Sequence, residues 1–497
     1  MNGLHFFLAW LTLCALPGFA QEPEISWGPV ATQAADTQPI HIGSSADGQF
    51  VMAKTRGMRP VLRRFDEQGA LQAQARLNFR WRGETASLVK CVMLQGSLHA
   101  LLRGWNEDTL YTQLLAQEID PISLDLIGKP KPMELVRNLK FAPFKVRVSK
   151  NEQHLFVLSY GMDSLGNITE LHNYVFDATL ALRWERKTIV DFPNQLFYIE
   201  DVCINNRGDA FISGYLKKSE QQIEILQKTG FKRPAAHSYK IFATRRNGTE
   251  QREYSLDLVV ESVLGLQFAF RPESDVICAG LYGDAFRDFK GVFSFRIDGE
   301  SGNLSLSRKN PLPKKFLREI IDEVSRPDEI NKRGFVLKDV VVRGDGGITL
   351  IGEKLTLGGT WTFKSTAWDI VVVNMDADGN LAWYRKIPKA QIADSHYNSF
   401  QLVIGRDKLH FLFNDHKSNL KLRSFRPDDP QRFRNPLEGH LALVSIDADG
   451  NVSNQSLMKL RKVGLTIAPA AGIQLSANEI WIYGRHNRKY RYGRLRL

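Results

Sequence analysis

A single unit recurs along this 497-residue chain and restricts the fold more than any other feature. Its clearest copy runs LKDVVVRGDGGITLIGE (Leu337 to Glu353) and, after an insertion, DIVVVNMDADGNLAWYRKIP (Asp369 to Pro388). The order is strand, tight turn, strand closing on Gly, loop, strand, DADG turn, strand. Each run alternates or is wholly apolar, is rich in β-branched and aromatic residues, and is bounded by turn residues. Weaker copies of the first hairpin are IGSSADGQFVMAKTRG, CVMLQGSLHALLRG, VRVSKNEQHLFVLSYG, CINNRGDAFISGY, FRPESDVICAGLYG, VIGRDKLHFLFND and IQLSANEIWIYG. They recur roughly every 50 to 70 residues, a spacing somewhat longer than the usual propeller repeat. Gly57, Gly104, Gly161, Gly214, Gly280, Gly352 and Gly484 close the second strand, and Asn414 is the exception.

A four-stranded unit cannot cover both its faces alone, whereas a ring of such blades buries each sheet against the next. The expected fold is all-β: a β-propeller of seven or eight four-stranded antiparallel blades, eight preferred. The last copy supplies three strands (AAGIQL, EIWIYG, KYRYGRLRL), and Ile25 to Ala31 (ISWGPVA) is the segment expected to supply the fourth and tie the ring shut. No linker rich in Pro, Ser or Gly divides residues 21–497, which read as one propeller domain.

In such a meander, the loops from strand one to two and from three to four share one face. Here they are short: Asp47-Gly48, Asp345-Gly346, Asn247-Gly248, Asp378-Gly379 and Asp449-Gly450 among them. The opposite face carries the insertions 217–238, 353–368, 415–440 and 309–334. In the last, KKFLREIIDEVSR sets Phe316, Leu317, Ile320, Ile321 and Val324 at helical spacing, the one expected helix. Insertions on a rigid scaffold concentrate function, so this face is the candidate working surface.

The first twenty residues, MNGLHFFLAWLTLCALPGFA, read as a cleavable export signal, too short to span and stay. No later stretch reaches transmembrane length. Export to the periplasm, the outer-membrane surface or the medium is therefore expected. Three cysteines remain, Cys91, Cys203 and Cys278, and buried free thiols are favoured over a bridge. The formal net charge of +12 lies wholly outside the signal. In an exported chain it points to a protein partner of the envelope or another anionic envelope component rather than to nucleic acid.

The DADGN pairs, Asp376 to Asn380 and Asp447 to Asn451, put Gly fourth and lack a twelfth carboxylate, so they read as hairpin turns rather than calcium loops. No metal or cofactor is implied. Asp201 (IEDVCI) and Asp339 (LKDVVV), placed at the start of inner strands near the channel mouth, are weak catalytic candidates; the competing role is to accept amide bonds and pin a loop. Cations interleave with aromatics in the insertions: Lys232 and Arg233 beside Phe231, Arg318 on the helix, Trp361 and Phe363, and Lys421, Arg423, Arg426, Arg432 and Arg434 with Phe425 and Phe433. Such sets suit anionic partners or a protein interface, or form a solvated rim. Serine-hydrolase elbows, zinc-protease helices, phosphate loops and dinucleotide fingerprints are absent from the sequence.

RGDGGITLIGE, DIVVVNMDADGNLAWYRKIPKAQ and the closing YRYGRLRL resemble a group of uncharacterised exported β-propeller proteins from Gram-negative bacteria of the Bacteroidota type. The resemblance implies export and a propeller, with no catalytic residue to carry over. The expected function is a binding or scaffold module of the cell envelope, as an accessory subunit of an outer-membrane secretion or uptake assembly. The alternative is a glycan-acting enzyme with its site at the channel mouth.

Overall fold

The computed structural model describes residues 23–497 apart from 34–36, 55–58, 109–110, 139–143, 164–166, 193–194, 219–237, 257–261, 272–274, 284–288, 322–332, 357–363, 395, 417, 420–432 and 434–436. Among the described residues eight antiparallel blade sheets follow one another along the chain, with a two-stranded hairpin, Arg80–Trp81 against Glu84–Thr85, between the first two. Blades 1 to 7 are consecutive meanders spanning residues 38–76, 87–138, 145–189, 195–256, 262–311, 333–387 and 401–459. The first strands of neighbouring blades touch, as in blades 5 and 6, so strand one lines the axis and strand four the rim.

Blade 8 is built from both ends of the chain. Its inner edge is Thr466–Ile467 and Ile473–Ser476, followed by Glu479–His486 and Lys489–Arg496. Glu24–Trp27 then pairs with the last strand from Glu24 opposite Arg496 to Trp27 opposite Gly493, and Ala31 lies opposite Tyr490. The seal is reinforced by side chains. Arg491 donates from Nε to the Gly28 carbonyl at 2.6 Å, and its guanidinium sits 5.7 Å from the Trp27 ring centre.

The core lies between blades. Val202 and Ile212 of blade 4 pack on Phe156 and Val175 of blade 3, and Val341 and Ile351 of blade 6 on Phe411 and Phe413 of blade 7. Each such aromatic, removed wholly from water, contributes about 2 to 3 kcal/mol against the entropy of ordering the chain.

The second-strand glycines do not end their strands where they are described; Gly57 lies outside the described residues. Gly214 lies within Ala210–Lys218 and Gly352 within Ile348–Thr356. Neither has a positive φ. At some of them close approach requires Gly: a methyl on Gly214 would come 2.4 Å from the Phe197 ring and the Tyr198 carbonyl, and one on Gly104 2.5 Å from Trp81, whereas one on Gly352 would meet its nearest atom at 3.6 Å.

The DADGN segments are turns in which the first Asp is committed to its own backbone. Asp376 Oδ1 accepts the Asn380 amide at 2.8 Å, Asp447 Oδ1 accepts those of Asp449 and Asn451, and Gly379 and Gly450 take φ of 78° and 80°. Cys91, Cys203 and Cys278 are free thiols, and burial pushes all three up, Cys91 to about 12.

Candidate functional site

The insertion face is organised around blades 6 and 7. The helix Lys314–Ile321 connects blade 5 to blade 6; Phe316 and Ile320 are buried against Leu281, Leu312 and Leu337, and Phe316 meets Tyr384 with ring centres 4.3 Å apart. Ile321 ends the helix, and Val324 lies outside the described residues. Two lysines hold its C-terminal end. Lys354 Nζ donates to the Ile320 carbonyl at 2.8 Å and Lys386 Nζ to the Glu319 carbonyl at 2.9 Å, so cations satisfy carbonyls that have no partner within the helix.

Beneath that helix end lies a network of buried charge, rare unless every member is paired. Glu353, fully buried, accepts from Lys389 Nζ at 2.7 Å and Ser399 Oγ at 2.7 Å, with Lys338 Nζ at 3.0 Å. Burial alone would push Glu353 up, but Lys389 and Lys338 with the donors on it hold the carboxyl below its ordinary value. Lys389 also donates to Gln391 Oε1 at 3.0 Å, its own amide bonds Asp369 Oδ1, and Asp369 Oδ2 pairs with Lys386 at 3.3 Å. Ser399 sits at φ 72°, a conformation a non-glycine residue adopts only where its surroundings enforce it.

The insertion 353–368 is in part a continuation of the blade rather than a loop. Strands two and three run on as a hairpin, Leu355 opposite Ala367, and Gln391–Asp394 adds a fifth strand against Lys364–Met375. Phe433, grouped from sequence with the basic surface residues, is instead 2% exposed. It packs with Tyr397, Leu412 and Leu441, and its backbone bonds Ala390 and Ile392, so it anchors the insertion 415–440.

Of the binding residues expected from sequence, Arg318 is described: it is exposed on the helix, together with Lys314 and Lys315. Among the described residues no carboxylate pairs with these three cations. Lys232, Arg233, Trp361, Phe363, Lys421, Arg423, Arg426, Arg432 and Arg434 lie outside the described residues.

Asp201 and Asp339 do not open their strands. Those begin at Gln195 and Arg333, and each Asp follows a β-bulge, at Glu200 and Lys338 respectively. Each therefore lies within the inner strand of its blade, blade 4 and blade 6, rather than at the strand's start. Asp201 pairs with Arg147 of blade 3 at 3.0 Å. Asp339 accepts the Val340 amide at 2.8 Å, and burial, the larger effect, raises its carboxyl. Further along the wall Lys90 Nζ reaches the Val146 carbonyl at 3.4 Å; burial and the charge of Arg147 lower both Lys90 and Lys145. No group of three or more metal-ligating side chains occurs among the described residues, and none of their helices is long and apolar enough to cross a membrane.

The lysines and carboxylates of the buried network escaped sequence reading because each lies in an ordinary strand or link. The signal was the charge in EKL and RKIPKAQ, set amid apolar strands that a solvated rim does not require.

No family model matches the chain, and no curated protein matches it. Among solved structures it is similar to a protein of unknown function from Bacteroides caccae, at 12% identity over 70% of this chain and 94% of that one, with a TM-score of 0.27. A polysaccharide lyase of the PL25 ulvan lyase type matches at 9% identity, 88% and 97% coverage and a TM-score of 0.40. Prolyl oligopeptidase B from Galerina marginata matches at 8% identity over 91% of this chain with a TM-score of 0.39. The chain spans 55% of the length of that enzyme.

Proposed function

We propose that the protein is a binding module of the bacterial cell envelope, exported by its N-terminal signal, whose insertion face docks an acidic partner. The observation that carries this reading is the cationic stripe Lys314, Lys315 and Arg318 on a helix held from below by Lys354, Lys386 and the Glu353 network. A stripe fixed in this way is pre-organised: the helix is ordered before the partner arrives, so less entropy is lost on binding. Lys314 and Arg318 are one turn apart and share a face. The resemblance to exported Bacteroidota-type propellers agrees with this setting and with an accessory role in an outer-membrane secretion or uptake assembly.

The test is affinity isolation from native membranes with the wild-type chain and with Lys314→Glu, Lys315→Glu and Arg318→Glu combined. The expected outcome is that a species recovered with wild type at low salt, and lost as ionic strength rises, is not recovered with the variant while the melting temperature stays the same. Equal recovery by both would remove this face from the interface.

A further inference from the structure

The face opposite the insertions carries a second feature, independent of the docking reading. In six of the seven blades whose third and fourth strands are joined by a turn, that turn begins with an Asp accepting its own backbone amides. They are Asp66, Asp120, Asp177, Asp298, Asp376 and Asp447. The register makes these positions equivalent: each follows the residue paired near the start of strand two, as Ile297 pairs Val276 and Met375 pairs Ile348. In blade 4 the corresponding pair is Thr244 with Ala210, and the next residue is Arg245. A cation stands where every other such turn has a carboxylate.

The turn amide is satisfied from elsewhere. Asp209, which precedes strand two, accepts the Arg246 amide at 3.0 Å on Oδ1 and Asn205 Nδ2 at 2.9 Å on Oδ2. Asp209 is thus occupied by neutral donors, and Arg245 is not needed for the turn. Its side chain is only 2% exposed, with Nη2 donating to the Gly299 carbonyl of blade 5. Nη1 makes no hydrogen bond, and its nearest carboxylate, Glu250, is 3.5 Å away and already holds Arg252 at 2.6 Å. Arg246 follows at φ 52° and donates to the Glu300 carbonyl at 2.7 Å, its Nε lying 3.4 Å from Glu250. Between blades 4 and 5 these groups border a cavity of about 380 Å³ lined by Arg207, Arg245 and Arg246, with Asp209, Asn247, Gly299 and Glu300.

We propose that this cavity is a binding site for a small oxyanion, phosphate or sulfate, free or as the ester of a sugar-sized group. Three guanidiniums border it, and their planar forks match tetrahedral oxyanions two oxygens at a time. One of them, Arg245, is buried, with Nη1 making no hydrogen bond and lying 3.5 Å from Glu250. The volume falls at the small end of the range for ligand pockets and leaves room beyond the anion itself. Asp209, committed to two neutral donors, disfavours an anion less than a free carboxylate would, and with Glu300 it limits the net charge to that of one anionic group.

Isothermal titration of the full mature chain, at ionic strength held constant with sodium chloride, tests this with inorganic phosphate, inorganic sulfate and glucose 6-phosphate as probes. Saturable binding of at least one is expected, weakened about tenfold or more in Arg207→Ala/Arg246→Ala, whose two side chains are exposed and dispensable for the core. Arg245→Lys keeps the charge but loses the fork, and is expected to weaken binding with the fold retained by circular dichroism. Tighter binding of glucose 6-phosphate identifies an ester site, and equal binding a free-anion site. Binding unchanged by the double substitution, or no saturable binding of any probe by the wild type, would overturn the proposal.

Discussion

Asn414 shows how far a single residue departs from its repeat for a reason. It occupies the second-strand position that holds Gly in the other blades. Fully buried, it donates to the Tyr397 and Ile467 carbonyls at 2.9 and 2.7 Å and accepts the Ile467 amide at 3.2 Å, joining blade 7 to blade 8. Its neighbour Asp415 is buried beside it. Burial pushes that carboxyl up to about 7, against donors from Asn419 and the His416 amide and the charge of Lys389. An unfolded Asp titrates near 4, so the native state keeps its proton over an interval in which the unfolded state loses it. The stability this contributes is full below pH ~4 and is lost as pH rises through about 7, a few kcal/mol in all. Asp415→Asn keeps the acceptor and removes the titration. Denaturant unfolding across pH is expected to show the variant gaining about 1 to 3 kcal/mol on the wild type between pH 5 and pH 8. Curves that stay parallel throughout would show that Asp415 is ionised in the native state.

At the scale of strands and turns, the sequence was most legible where the backbone demands a residue type. The DADGN turns, the β-branched runs and the helix at Phe316 and Ile320 follow from such demands, and so does the closing strand at Trp27. The second-strand glycines were read correctly as markers and, where they are described, incorrectly as stops, because what requires Gly at 214 is a ring of the paired strand. Which residue of the partner strand lies beside a glycine leaves no local trace. The consequence is testable by two substitutions. Gly214→Ala drives a methyl into Phe197 and the Tyr198 carbonyl and is expected to cost about 2 kcal/mol, read as a lowered denaturant midpoint. Gly161→Ala, whose nearest neighbour would be Glu170 at 3.5 Å, is expected to change little. The same limit explains the candidate sites. Glu353 meets Lys389 and Ser399 only because the link 388–400 packs back on blade 6, and Phe433 looked like a surface aromatic until the core beneath it was in place. Arg245, by contrast, was visible in principle: RRNGTE lacks the Asp that opens the equivalent turns DEQGA, DATLA and DADGN.

For the whole molecule, ring closure assigns every loop to one of two faces, and this gives the repeat its functional meaning. On the turn face the described turns from third to fourth strand open on Asp except in blade 4. The insertion face carries the helix, the extended hairpin of blade 6 and the ion network that fixes them, within a chain of net charge +12. Partner docking on that face is the central claim, and position-specific photo-cross-linking tests it most directly. A photoreactive residue at Arg318 and another at Asp378, exposed on the opposite face, would be irradiated in intact native membranes. Docking on the insertion face predicts a discrete cross-linked species from position 318 and none from 378; the same species from 378, with none from 318, would contradict it.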